Sequence, residues 1–445
     1  MEIKLFRSAT VGIYSKNFKL LMDPWLVDGE YFGSWSHYPY YDLEKNIDEI
    51  NSFNAIYISH IHPDHCSEKT LKLINKNIPV YIHSFHTKFL KFKIETLGFK
   101  VIELPNFKRT EIGKDFFLNI IAADNCNPEL CYKFMACADM SAKNNESQQI
   151  DTLAVIDDNK STILNVNDCP YELAENTLNL INKNYEKIDL LLTGYQNASS
   201  YPQCFDNLNN KDKLIMGKKI SDICLNRSLN FIKKTRPKYF LPFAGTYSLS
   251  GNLSKIDNLR GVANIDYAFD YLCNHQKTSK PSKISCEQIF DLTSNQSSGE
   301  YVKFNKENYN NYLNNILAKK TLDYENSEIV SFEEIYELAQ MAHKKYIEKK
   351  KINNIKLNTD ILIHVDDKII NLKKNNKLTV EKIDEIVENK KFVLYRTNKK
   401  LLKLLLMGPR YAHWNNAEIG SHLNFYRKPD TFERNVHGSM NYFHC

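Results

Sequence analysis

The first half of the chain alternates short apolar runs with turn-forming clusters. Residues 3–6, 11–14 and 18–22 have the apolar content and spacing of strands, the last two joined by a Lys16-Asn17 turn. Residues 55–58 form a continuous apolar run that reads as a short buried strand. A polar cluster follows, and then Ser67 stands where an N-cap belongs, ahead of an amphipathic helix running to about residue 74. Strands are predicted at 79–83, 100–104 and 116–123, with a helix at 87–97 before the second. Residues 152–156 and 162–166 read as a hairpin closed by Asp157-Asp158-Asn159-Lys160. A helix from Tyr171, a buried strand at 187–192, a helix at 220–234 and an apolar stretch around Phe243 complete a layered α/β pattern with sheets inside.

The pattern then changes. Residues 293–310 are polar, with the run Ser-Asn-Gln-Ser-Ser-Gly, and read as a linker or surface segment. A helix at 332–350 ends in a lysine run that suits a solvated face. From about 355 come strands at 361–365 and 369–372 around Asp366-Asp367, a strand at 392–395, and an amphipathic helix at 398–407 stopping at Gly408-Pro409. A closing strand at 422–427 ends the series. The expected organisation is therefore residues 1–290, a linker and helix at 291–354, and a smaller α+β domain at 355–445.

Composition changes this picture little. A chain of 445 residues, 42% apolar and 25% charged, has ample material for more than one core. The net charge of +6 is spread over lysines interleaved with acids, so no basic block points to nucleic acid. The ten cysteines are scattered without a Cys-x-x-Cys pair, and no leader-like or membrane-spanning segment is apparent. Reduced thiols and a cytoplasmic location are expected. The sequence identifies no partner protein.

The candidate chemistry sits in the polar cluster after residues 55–58, Ser59-His60-Ile61-His62-Pro63-Asp64-His65. In extended backbone, residues two apart face the same way, so His60 and His62 can converge on one ion. Asp64 and His65, where the chain turns toward the helix, can face a second. Imidazole and carboxylate suit zinc, iron or manganese.

The spacing His-x-His-x-Asp-His resembles the signature of the metallo-β-lactamase superfamily. With Asp23-Pro24-Trp25-Leu26, the Tyr201-Pro202-Gln203-Cys204 and Pro242-Phe243-Ala244-Gly245 stretches, and Arg427-Lys428-Pro429-Asp430, it resembles the branch that includes CMP-N-acetylneuraminate hydroxylase. The resemblance implies an αββα sandwich over the first domain and one or two divalent metal ions, zinc or iron. It also implies a metal-bridging role for Asp168, at the end of the 162–166 strand. Asp23 is either a hydrogen-bond partner of a ligating histidine or a turn former before Pro24. The C-terminal domain is similar in pattern to a sterol-carrier-protein-type-two-like domain.

The chain departs from the superfamily at two places. It has no histidine after Ala123, where Asp124 is the best ligand type beside Asn125 and Cys126, and none near Ala244. A site rebuilt with carboxylates would favour iron or manganese over zinc. Histidines at 437 and 444 offer another way to complete the site. The paired Cys-x-His and Cys-x-x-His of a Rieske cluster are absent from the sequence.

Three functions follow as expectations. The first is a hydrolase whose metal-activated water is oriented by Asp64, acting on a small molecule that nearby lysines allow to be anionic. The second is a non-haem di-iron oxygenase or hydroxylase acting on a nucleotide sugar or similar anion. The third is a degenerate metal-binding protein with a non-catalytic role.

Overall fold

A computed structural model describes residues 1–122, 151–382 and 391–445. Two mixed sheets face each other. The first runs in the order Gln296–Ser297, Ile289–Asp291, Glu2–Arg7, Thr10–Tyr14, Lys19–Met22, Ala55–Tyr57, Val80–His83, Val101–Leu104. The second runs Lys280–Pro281, Tyr239–Phe243, Leu190–Gly194, Thr162–Asn165, Thr152–Asp157, Phe116–Ala122, Thr110–Gly113.

Side-chain alternation explains the layering. Leu20, Met22, Ala55 and Tyr57 point inward and meet Ile120, Val155, Leu164 and Leu191 of the second sheet in one core. Their neighbours Leu21, Ile56 and Ile58 point outward. They pack beneath the helices Leu43–Asn51, Glu68–Leu73 and Phe89–Thr96. Both faces of these strands are buried, which is why they read as continuous apolar runs. The helices Tyr171–Asn184, Asn210–Thr235 and Ile265–His275 contribute residues such as Leu173, Leu178, Ile232 and Leu272 to the core from the other side. The result is the expected αββα sandwich.

The predicted hairpin forms as Thr152–Asp157 against Thr162–Asn165. Asn210–Thr235 begins ten residues earlier than its apolar periodicity indicates, because Asn209 caps it by accepting from the Asp212 amide. The added turns carry no apolar inward stripe: Lys213 and Gly217 are the buried positions, while Leu214 and Ile215 are exposed. Instead the bare backbone of Gly217 lies against the Leu259 and Arg260 carbonyls.

Residues 360–428 carry a separate five-stranded sheet in the order Leu378–Lys382, Lys368–Leu372, Asp360–Val365, Phe392–Arg396, Asn424–Lys428. The helices Phe332–Ile352 and Lys399–Met407 pack on it, and Leu322, Tyr324 and Val330 belong to the same core. This unit meets the sandwich at Phe425. Its amide donates to the Cys204 carbonyl at 2.8 Å, its carbonyl accepts from the Asp206 amide at 2.8 Å, and its ring stacks on Phe205 at 4.9 Å. Phe425 is fully buried. Phe425→Ala is therefore expected to cost about 3–5 kcal/mol in chemical denaturation. A loss below about 1 kcal/mol would reject this anchor role.

Among the described residues no cysteines are joined as disulfides and no helix is long and apolar enough to cross a membrane.

Candidate metal centre

The strands Lys19–Met22 and Ala55–Tyr57 run parallel and end at the same edge of the first sheet. Asp23 leaves one strand end and Ser59 to His65 leave the other. In the second sheet, Thr162–Asn165 ends at that edge just before Asp168. The antiparallel strand Thr152–Asp157 begins there just after Asp151. The two sheets are tied together beneath this edge. Tyr57 OH meets Thr152 Oγ1 at 2.8 Å, Thr152 Oγ1 donates to the Ser59 carbonyl at 3.0 Å, and Asn167 Nδ2 donates to the Thr152 carbonyl at 2.8 Å. Gly194 lets the Asn167-Asp168 turn approach, since a Cβ there would lie 2.9 Å from the Asn167 carbonyl oxygen.

Asp23 resolves one of the open readings. It is fully buried and accepts from the Ser59 amide at 2.7 Å and the Ser59 hydroxyl at 2.8 Å. It also accepts from His65 Nδ1 at 2.9 Å. Because Ser59 donates its hydroxyl proton to Asp23, it accepts from His60 Nδ1 at 2.9 Å. One carboxylate thus fixes two imidazoles in the same tautomer, each turning Nε2 toward the site.

Two donor trios result, and His60 belongs to both. One is His60, His62 and Asp151; the other is His60, His65 and Asp168. Within each trio the donor atoms lie within 4.8 Å of one another. His60 Nε2 stands 2.9 Å from His62 Nδ1 and 3.5 Å from Asp151 Oδ1. His65 Nε2 stands 3.2 Å from Asp168 Oδ2 and 3.6 Å from Asp64 Oδ2. That nitrogen is buried and faces two carboxylates, the surroundings of a donor oriented for an ion.

The electrostatics are those of a cation site. Burial disfavours charge on His65, yet Asp168, Asp23 and Asp64 together hold its pKa well above the ordinary value. Burial, with the nearby Asp168, pushes Asp64 up to about 6 against the pull of His65. Burial disfavours charge on Asp168 too, but His65 holds it below the usual carboxylate range. Burial also depresses His62, to about 4, and holds His60 well below its ordinary value, so both present neutral lone pairs. Two neutral imidazoles and a third whose proton an ion would displace, set among clustered carboxylates, fit a divalent metal ion.

The structure therefore brings together His60, His62, Asp64, His65 and Asp168. Asp124 lies outside the described residues. The histidines of the C-terminal tail do not join the cluster: His437 Nδ1 faces Glu418 at 3.5 Å, and His444 meets Lys345 Nζ at 3.2 Å. Asp151 is the donor that sequence reasoning missed. Its signal was the hairpin register, which sets the start of one strand opposite the Asn167-Asp168 end of the other.

No protein-family model matches the chain. In sequence it is similar to the cytidine monophosphate-N-acetylneuraminic acid hydroxylase of Asterias rubens, with 26% identity over 263 residues, 56% of this chain and 35% of that protein. A protein of Mycolicibacterium smegmatis described as a Rieske 2Fe-2S iron–sulfur protein is 24% identical over 249 residues, covering 55% of this chain and 43% of the other. The match thus spans less than half the length of these curated relatives. Among solved structures it resembles CmlA, a diiron β-hydroxylase from Streptomyces venezuelae, at 12% identity with TM-score 0.41, covering 65% of this chain and 53% of that one. It also resembles an isothiocyanate hydrolase from Delia radicum gut bacteria at 12% identity with TM-score 0.42, covering 65% and 99%.

The αββα layering is the one that the resemblance to the metallo-β-lactamase superfamily implies. Among the described residues the site holds three imidazoles, those of His60, His62 and His65, fewer than the resemblance to the superfamily implies. At the late strand end, Ala244 has φ of 53° and a Cβ on Gly245 would lie 2.4 Å from Gln196 Cγ, so packing leaves little room for a ligating side chain there.

Proposed function

We propose that this metallo-β-lactamase-fold chain is a dinuclear, iron-dependent oxygenase that hydroxylates a small anionic molecule. His60, His62 and Asp151 would hold one ion; Asp64, His65 and Asp168 would hold the other, with His60 adjacent to both. The observation that carries this reading is Asp151. A carboxylate stands beside the His60–His62 pair, giving a set of three imidazoles and three carboxylates among the described residues. Hard oxygen donors mixed with imidazole favour iron or manganese over zinc. The names of the hydroxylase relatives support the same direction, and they motivate an anionic, nucleotide-sugar-like substrate.

When bound, a pair of iron ions supplies the redox chemistry that dioxygen activation requires. The protein's part is positioning and charge. Asp23 and Ser59 hold His60 and His65 in one tautomer. The carboxylates neutralise the ionic charge. Lys93, whose Nζ donates to the Cys66 carbonyl at 3.2 Å, braces the loop from below.

A metal-activated water performing hydrolysis is the second reading. The nitrogen-rich His60–His62 pair favours it, since it suits zinc. Metal analysis separates the two. Protein purified without oxygen is expected to carry about two irons per chain and to change its visible spectrum when air is admitted. Stoichiometric zinc, negligible iron and oxygen-indifferent hydrolytic turnover would overturn the oxygenase reading.

A further inference from the structure

The loop that carries Tyr31 is held in an unusual backbone conformation. Gly29, Tyr31, Phe32 and Gly33 all have positive φ, at 96°, 51°, 58° and 89°. Two bulky residues in the left-handed region persist only where the surroundings over-determine them. Here the carbonyls are tied from outside the loop. Gly29 accepts from Lys69 Nζ at 2.5 Å, Phe32 accepts from the Asp323 amide at 3.0 Å, and Tyr31 accepts from His422 Nε2 at 2.7 Å. Two of these three ties come from residues in the second core or beside it.

His422 is well suited to its tie. It is buried, and burial pushes it down to about 4, so the ring is neutral at neutral pH. A neutral imidazole has one donor and one acceptor. Nε2–H donates to Tyr31, and Nδ1 accepts from Tyr324 OH at 3.1 Å. Contact at this point is close: a Cβ on Gly420 would lie 2.9 Å from Tyr31 Cβ. On its other side the Tyr31 ring packs against Trp35 at 4.5 Å. Its hydroxyl reaches the metal loop and donates to Asp64 Oδ1.

We propose that Tyr31 is the positioning residue for Asp64, and that the C-terminal unit sets the geometry of the metal centre by holding Tyr31 through His422. The hydroxyl occupies one carboxylate oxygen and leaves Oδ2 facing His65 Nε2. Asp64 is thereby offered to an ion through a single, fixed oxygen. The clamp rests on the reading of Asp64 as a metal ligand.

The test is titration of full-length, metal-free protein with cobalt(II), followed by isotherm and visible spectrum. Wild type is expected to bind about two ions per chain. Tyr31→Phe, which keeps the ring and its packing, is expected to weaken only the second ion, by roughly 10–100-fold, and to change its cobalt spectrum. His422→Ala is expected to act in the same direction, and His422→Gln, which retains an N–H donor, to restore binding toward wild type. A Tyr31→Phe isotherm and spectrum matching a two-ion wild type would overturn the clamp alone. Equal weakening of both ions with a lowered melting temperature would overturn it too, as a merely structural effect. Wild type that takes up no cobalt would overturn the metal-centre reading, and the clamp with it.

Discussion

His60→Ala is expected to abolish nearly all metal uptake while leaving the fold intact. His60 contributes to both donor trios, so its loss removes a nitrogen from each. His62→Ala leaves His60, His65 and Asp168 in place and is expected to retain about half the metal of a two-ion site. The His60 ring is buried in a loop whose backbone is secured independently, by the Ser59 amide on Asp23 and the Cys66 amide on the His62 carbonyl at 2.8 Å. Truncation therefore removes a ligand without removing what shapes the loop. Elemental analysis of both variants beside far-UV circular dichroism checks the point. Unchanged metal content in His60→Ala would place the ions elsewhere.

Asp23→Ala is expected to damage both stability and metal binding, although Asp23 faces no ion itself. The substitution strips the acceptor from the Ser59 amide and hydroxyl and from His65 Nδ1, all in a fully buried place. Each stranded polar group costs about 1–3 kcal/mol, so the metal-free protein should lose several times the effect of a surface substitution. Release of the two tautomers should weaken metal binding a further 10–100-fold, roughly. Thermal melts of the metal-free protein isolate the first effect, and a competition titration against a chelator reads the second. A variant as stable as wild type, with unaltered affinity, would return Asp23 to the role of a turn former.

What was legible in the sequence follows from locality. The metal loop could be read because its donors are contiguous and follow a buried strand, so one backbone pattern fixes them all. The sandwich could be read because strands buried on both faces leave unbroken apolar runs. Asp151 escaped because its place depends on a partner strand: only the pairing of Ala154 with Asn165 brings it beside the Asn167-Asp168 turn. Tyr31 escaped for a different reason. An aromatic residue in a turn-rich stretch fits a pocket mouth or a small core equally well. The structure places it in a cluster with Trp25, Trp35, Tyr247 and Leu249, its hydroxyl turned to Asp64. The helix Lys306–Asn315 was hidden in a polar stretch because Leu313 is its one buried residue, too little for a periodic signal.

The order in which the first sheet is assembled constrains how the chain reaches its native state. Glu2–Arg7 pairs on one side with its neighbour Thr10–Tyr14, but on the other with Ile289–Asp291. During synthesis the first strand therefore emerges with an open edge. Its hydrogen-bonding partner does not exist until nearly three hundred residues have followed, about 15–60 s at typical elongation rates. An unpaired edge bearing Ile3, Leu5 and Phe6 is a template for other chains. The native contacts are of long sequence separation, which slows folding further. Aggregation is therefore expected to compete with folding at the Glu2–Arg7 strand until the chain returns to close the sheet.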